Sequence, residues 1–142
     1  MNKPKVFLAE DNQSDGFLLD LAFTEAGRSV EIVQAHDGDK AFELLRAAAC
    51  QVPFPFRLII LDLNLPKVDG LELLLGLQGW PELTRVARVI LTTAPTTRER
   101  ERVQDLHCVL LVKPEDYSGY SALIATLVPY LFPTDAGLPV AC

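Results

Sequence analysis

Five short runs rich in valine, isoleucine and leucine recur along this chain, each followed by a stretch with helical spacing. They are KVFLA (5–9), VEIVQA (30–35), RLIIL (57–61), ARVILTT (87–93) and CVLLV (108–112). A run that is apolar with little alternation suits a strand buried on both faces, and a sheet of such strands needs helices on both sides. The alternation therefore predicts an α/β fold, a doubly wound five-stranded parallel sheet with helices on both faces. Helical spacing falls at 14–27, 39–50, 69–79, 96–106 and 117–132. Ser14 is the expected N-cap of the first helix and Gly27 its stop. Pro129 should kink or end the last one, because it lacks a backbone donor. A chain of 142 residues suffices for one such core. The expected organisation is one domain over 1–132 and an extended tail over 133–142, with no separate output domain.

Charge and composition narrow the function. Thirteen Lys and Arg against nineteen Asp and Glu give a net charge of −6, which disfavours a nucleic-acid partner and leaves room for a cation. With 49% hydrophobic and 23% charged residues the chain reads as globular. No run approaches the ~18 apolar residues of a membrane span, so no membrane association is expected. The start, MNKPKVFLAEDN, turns acidic too early for a secretory signal. The three cysteines, Cys50, Cys108 and Cys142, show no CxxC spacing, as expected of reduced thiols in a cytoplasmic protein. A mean hydropathy of +0.20 is high for a small isolated domain and points to an interface, most simply a homodimer.

The polar groups that matter sit where the apolar runs stop. The first run ends in Glu10-Asp11, the third in Asp62, the fourth in Thr92-Thr93 and the fifth in Lys113-Pro114. Doubly wound sheets bind ligands beyond the carboxyl ends of their strands, where the strand order reverses. With the flavodoxin-like order 2-1-3-4-5, that place lies between the first and third strands. Each group alone has an ordinary reading: a helix cap, a turn, a β-branched strand residue, a surface ion pair. Their convergence is the argument. Two carboxylates ~4 Å apart repel by about 4 kcal/mol at an effective dielectric near 20. Lys113 supplies one positive charge to three acids. Oxygen ligands without clustered histidine or cysteine favour a hard divalent cation, Mg²⁺. A carboxylate beside Mg²⁺ and a lysine is placed to attack phosphorus, with Thr93 able to donate to a phosphoryl oxygen.

In these residues the chain resembles the receiver domain of two-component response regulators, over 3–131. The acidic pair in LAEDN, the acceptor in LIILDLNLP, the hydroxyl in LTTA and the lysine in LVKP fall in family order and spacing. LTTAP is also similar to small single-domain regulators paired with phytochrome-like histidine kinases. The resemblance implies that Asp62 takes a phosphoryl group from a sensor histidine kinase. It implies a Mg²⁺ site from Asp11, Asp62 and the backbone carbonyl of Asn64, with Glu10 nearby or acting through water. Thr93 and Lys113 would contact the phosphate, and the small Ala94 would leave access to it. A Lys113–Pro114 peptide that is often cis in the family is implied too. Many receivers carry an aromatic residue three positions before the lysine. Leu110 stands there in this chain, so coupling by an aromatic flip is not expected. Output would pass by conformational change to a separate, unknown protein.

Two other readings compete. A Mg²⁺-dependent phosphatase with an aspartate nucleophile would want a second acid two residues after Asp62, where Asn64 stands. A degenerate receiver that only binds a partner would not need the complete acidic and basic set. Neither GxGxxG nor GxxxxGK[ST] occurs, which excludes the common nucleotide-binding loops.

Overall fold

The computed structural model describes residues 3–106 and 108–132. The chain order is β1 (Lys5–Ala9), α1 (Gln13–Glu25), β2 (Glu31–Ala35), α2 (Gly38–Ala49), β3 (Phe56–Leu61), α3 (Gly70–Leu77), α4 (Pro81–Thr84), β4 (Ala87–Thr92), α5 (Thr97–Asp105) and β5 (Val109–Val112). A 3-10 turn over Tyr117–Gly119 then leads into α6 (Tyr120–Leu131). The strands form one sheet in the order β2-β1-β3-β4-β5, with every neighbouring pair parallel. This is the doubly wound, flavodoxin-like order expected from the alternation of patterns.

The apolar runs are apolar because the inner strands are covered twice. Alternate side chains of one strand serve opposite faces. Phe7, Ala9, Ile59, Leu61 and Ile90 pack with Ala41 and Leu45 of α2, Leu73 and Leu77 of α3, Leu83 of α4 and Val103 of α5. Val6, Leu8, Leu58, Ile60 and Val89 face the other way, onto Leu19 and Phe23 of α1 and Ile124, Leu127 and Leu131 of α6. The edge strands β2 and β5 are only partly buried, and Val112 at the end of β5 is 49% exposed.

Several local expectations are corrected. The N-cap of α1 is Asn12, not Ser14; its side-chain oxygen accepts from the backbone N–H groups of Ser14 and Asp15. Gly27 does stop that helix, with a left-handed φ of 75°. One turn of helix, α4, lies where no helix was expected, begun by Pro81, whose fixed φ suits a first helical position. α6 runs through Pro129 and ends two residues later, where the N–H of Phe132 bonds the carbonyl of Val128. The missing donor falls in the last turn, where it disturbs little of the helix. The Lys113–Pro114 bond is trans; among the described residues the cis peptide is Val52–Pro53. The tail expected over 133–142 lies outside the described residues. Among those described, no helix is long and apolar enough to cross a membrane.

The fold positions the polar groups by a simple device. The parallel ladder continues one residue past three strands: Glu10 N–H donates to Ala35, Asp62 N–H to Ala9, and Lys113 N–H to Thr92. Each is the first residue beyond its strand, held by the last backbone bond of the sheet. Ala9 is in register with Leu61, so Glu10 and Asp62 emerge side by side.

Candidate functional site

At this sheet edge one ammonium faces three carboxylates. Lys113 Nζ donates to Asp62 Oδ2 at 2.8 Å, to Asp15 Oδ2 at 3.1 Å, and to Glu10 Oε1. The lysine, Glu10 and Asp62 side chains are only 11%, 3% and 8% exposed. The second oxygen of Asp62, Oδ1, accepts the backbone N–H of Asn64 at 2.9 Å. Glu10, Asp11 and Asp62 can each turn one carboxylate oxygen to a common point, their ligand atoms lying within 4.8 Å of one another; Asp11 is the exposed member.

Burial is the chief cause of an unusual Glu10. It pushes the carboxyl up from its ordinary range to about 8, and the neighbouring Asp62 charge adds to the rise, against the pull of Lys113. Burial alone would lower the Lys113 ammonium, but its hydrogen bonds to Asp62 and Glu10 and their charges more than offset that, and it lies above its ordinary value. The cluster of Glu10, Asp11, Asp15 and Asp62 thus carries more negative charge than Lys113 balances. All the donor atoms are oxygens, two of them on nearly buried side chains. This set fits a hard divalent cation.

The pH dependence follows in sign. The folded protein holds the Glu10 proton up to about pH 8, against 4.5 for the ordinary group. Folding therefore takes up a proton in that window. The metal-free protein loses stability as pH rises from about 4.5 through about 8. A cation needs the ionised form, so its binding releases a proton and tightens over the same interval. Thermal melts at pH 5 and about 8, with and without Mg²⁺, should show the metal-free midpoint falling with pH and the Mg²⁺ shift growing, both weaker in Glu10→Gln.

Of the residues expected from sequence, Glu10, Asp11, Asp62 and Lys113 come together. Asn64 is adjacent through its backbone, and its side chain donates to Thr92 Oγ1 at 3.4 Å. Thr93 and Ala94 lie on the loop after β4. Thr93 is exposed, with no side-chain hydrogen bond among the described residues, while Thr92 is buried. Ala94 has a left-handed φ of 33°, and Lys67, on the loop after Asp62, one of 71°. These non-glycine outliers sit on two loops beside the site, where such backbone tends to cluster.

Three contributors escaped sequence reading. Asp15 joins Lys113 from the first turn of α1. Gln34, on β2, donates to the carbonyls of Glu10 at 2.8 Å and Asn12 at 3.3 Å, fixing the turn that carries the acidic pair. Gly70 lets α3 approach the backbone of Asp62: a Cβ there would lie 2.2 Å from the Asp62 carbonyl oxygen. An acid near the start of the helix after the first strand is the signal that could have found Asp15.

A doubly wound sheet with buried acids and a lysine at its switch point is the arrangement expected from the resemblance, and sequence comparison gives the family. A family model for the response regulator receiver domain matches residues 6–118, and the chain belongs to that family. It is a receiver of the two-component type, a family of signalling modules. Response regulator Rcp1 of Synechocystis sp. is 34% identical over 108 residues, covering 75% of this chain and 74% of that protein. The probable methanogenesis regulatory protein FilR2 of Methanothrix harundinacea is 30% identical over 129 residues, covering 88% and 81%. Among solved structures, the phosphorylated cyanobacterial phytochrome response regulator RcpA superposes with a TM-score of 0.81 at 31% identity, over 98% of this chain and 100% of that one. The Mn²⁺-bound form of Rcp1 gives 0.78 at 27% identity, over 96% and 99%.

Proposed function

We propose that this protein is a Mg²⁺-dependent response regulator that accepts a phosphoryl group on Asp62 from a sensor histidine kinase. The observation that carries the reading is the bonding of Asp62. One oxygen is held by the Asn64 N–H and the other by Lys113, so the carboxylate is fixed at the sheet edge with lone pairs to spare. In the transfer, an Asp62 oxygen forms a bond to phosphorus as the bond from phosphorus to the donor imidazole nitrogen breaks. The electron pair stays on that nitrogen, which takes a proton from solvent. Lys113 follows the charge from the carboxylate to the phosphoryl oxygens, and Thr93 turns its hydroxyl toward them. Ala94 leaves the approach open. Asp11, Asp62 and the Asn64 carbonyl would hold Mg²⁺, with Glu10 beside them, and the ion, when bound, would supply charge neutralisation for the transferring group.

The likeness to RcpA, a cyanobacterial phytochrome response regulator matched over nearly the full length of both chains, favours a phytochrome-like kinase as donor. The receiver domain of this reading spans 1–132 and is cytoplasmic. Its output passes to a separate protein by rearrangement around α5, β5 and α6, and the half-buried apolar β5 edge favours a homodimer. Leu110 is packed against the core, so the rearrangement starts from Thr93 and its loop rather than from an aromatic flip. A phosphatase reading is poorer, because the position of its second acid is taken by Asn64, whose side chain is turned to Thr92.

Incubation with acetyl phosphate and Mg²⁺, followed by intact mass, should show one added phosphoryl group. Chelation should abolish it, and Asp62→Asn should not gain it. Equal labelling of Asp62→Asn would refute the assignment, and rapid turnover of small phosphate esters would restore the phosphatase.

A further inference from the structure

Lys113 has three ammonium hydrogens and three carboxylate acceptors, on three different segments. Of those acceptors, Asp62 is assigned above to the cation and the phosphoryl group, and Glu10 lies in the same acidic cluster beside the cation. Both must give up part of their hold on the lysine when those ligands arrive. Asp15 alone has neither duty. It comes from the first turn of α1, and its backbone N–H is fixed by the Asn12 cap at 3.4 Å. The lysine side chain is 11% exposed, and beside the Lys113–Asp15 pair lies a cavity of about 10 Å³ bordered by Leu8, Leu19, Leu91 and Tyr120. Of these neighbours only the Tyr120 phenol carries a side-chain acceptor, and it is uncharged, so it does not replace the carboxylate of Asp15.

We infer that Asp15 is a positioning residue for phosphoryl transfer: it tethers Lys113 while the lysine's other two partners are taken over by the cation and the phosphoryl group. The inference rests on Asp62 being the phosphoryl acceptor. Without the tether, Glu10 and Asp62 are the carboxylates left to the lysine, and all of its ion pairing falls on them. There it competes with the cation for the same oxygens and covers a lone pair of the nucleophile. With it, one ammonium hydrogen stays directed to Asp15 as the other two are released, and the lysine remains near enough to meet the phosphoryl oxygens. The ordinary role of an acid in a first helical turn is to favour the helix N-terminus. That role affects stability and has no reason to depend on Lys113.

The test is the rate of labelling by acetyl phosphate at saturating Mg²⁺, with melting temperatures measured alongside. Asp15→Asn should label about tenfold more slowly, the size typical of losing a group that orients a ligand. Asp15→Glu should recover most of the rate. In a Lys113→Met background, Asp15→Asn should change nothing further, since the two act as one unit. A wild-type rate in Asp15→Asn would overturn the inference, as would the same slowing with and without Lys113. Should Lys113→Met label too slowly to time, recovery by Asp15→Glu at equal stability decides for the tether, and failure to recover decides against it. Full labelling of the wild type with none in Asp62→Asn keeps the functional reading intact whichever way Asp15 falls; labelling of Asp62→Asn at the wild-type rate removes both.

Discussion

Replacing Lys113 with alanine is expected to lower the stability of the metal-free protein by about 3 kcal/mol at neutral to mildly alkaline pH, and Mg²⁺ is expected to restore most of it. Lys113 is the cation between Glu10, Asp15 and Asp62, and two of those acids are nearly buried. Taking it away leaves carboxylates facing one another, at about 4 kcal/mol for a pair ~4 Å apart at an effective dielectric near 20. Protonation relieves part of this. Glu10 already holds its proton up to about pH 8, and the raised value climbs further without the lysine. The loss should therefore stay nearly level from pH 5 to about 8, where Glu10 is protonated in both folded proteins, and grow above that, while the variant, like the wild type, is less stable at about pH 8 than at pH 5. A divalent cation replaces the lost charge, so the Mg²⁺-induced shift in denaturation midpoint should be larger in Lys113→Ala than in the wild type. Denaturant melts at the two pH values, with Mg²⁺ and with chelator, measure all of this. Equal stability of the variant at both pH values would contradict the charge balance described here.

The second large effect is expected from a single methyl group. Gly70→Ala should cost about 3 kcal/mol and slow labelling of Asp62. The new Cβ would lie 2.2 Å from the Asp62 carbonyl oxygen, 2.9 Å from its carbonyl carbon and 3.0 Å from the Leu63 Cα. All three are backbone atoms at the end of a central strand, so relief requires moving the segment that carries the nucleophile. The hydrogen bond from Gly70 N–H to the Leu63 carbonyl, 3.1 Å, ties α3 to the same segment and would stretch with it. Gly79→Ala is the control. Nothing lies within 4 Å of its added Cβ and its backbone is not left-handed, so its effect should stay within about 0.5 kcal/mol. Paired melts and labelling time courses decide; a Gly70→Ala protein with the stability of Gly79→Ala would show that the approach of α3 to β3 is looser than described.

What the sequence made legible follows from how the sheet is built. Strands covered on both faces announce themselves as apolar runs, and in a parallel sheet the residue after each run falls at one shared edge. That is why Glu10, Asp62 and Lys113 could be placed together before any coordinates, and why the strand order gave their neighbourhood. Asp15 was harder to see. Its direction depends on where α1 begins, and taking Ser14 rather than Asn12 as the cap puts Asp15 in the wrong part of the first turn. The left-handed Lys67 and Ala94 carry no glycine or asparagine to mark them. Arg88 breaks the pattern in the other direction: a charged side chain in an inner strand, 3% exposed, whose guanidinium donates to Gln78 Oε1 at 2.9 Å. Residue-type rules place arginine outside, and only the packing of α3 against β4 reveals its partner. The one-turn α4 is too short to leave a period, and the resemblance misjudged the Lys113–Pro114 bond. The role of Gly70 was invisible, because close backbone approach is a fact of tertiary structure.

Borohydride reduction of the phosphorylated protein, followed by peptide sequencing, puts the central claim to its sharpest test. Reduction converts an acyl phosphate on an aspartate to homoserine and leaves free carboxylates alone. After treatment with acetyl phosphate and Mg²⁺, homoserine should be found at position 62, with Asp11 and Asp15 unchanged. Homoserine at another acid, or none anywhere in protein that has gained a phosphoryl group, would mean that this cluster does not make Asp62 its phosphorus carrier.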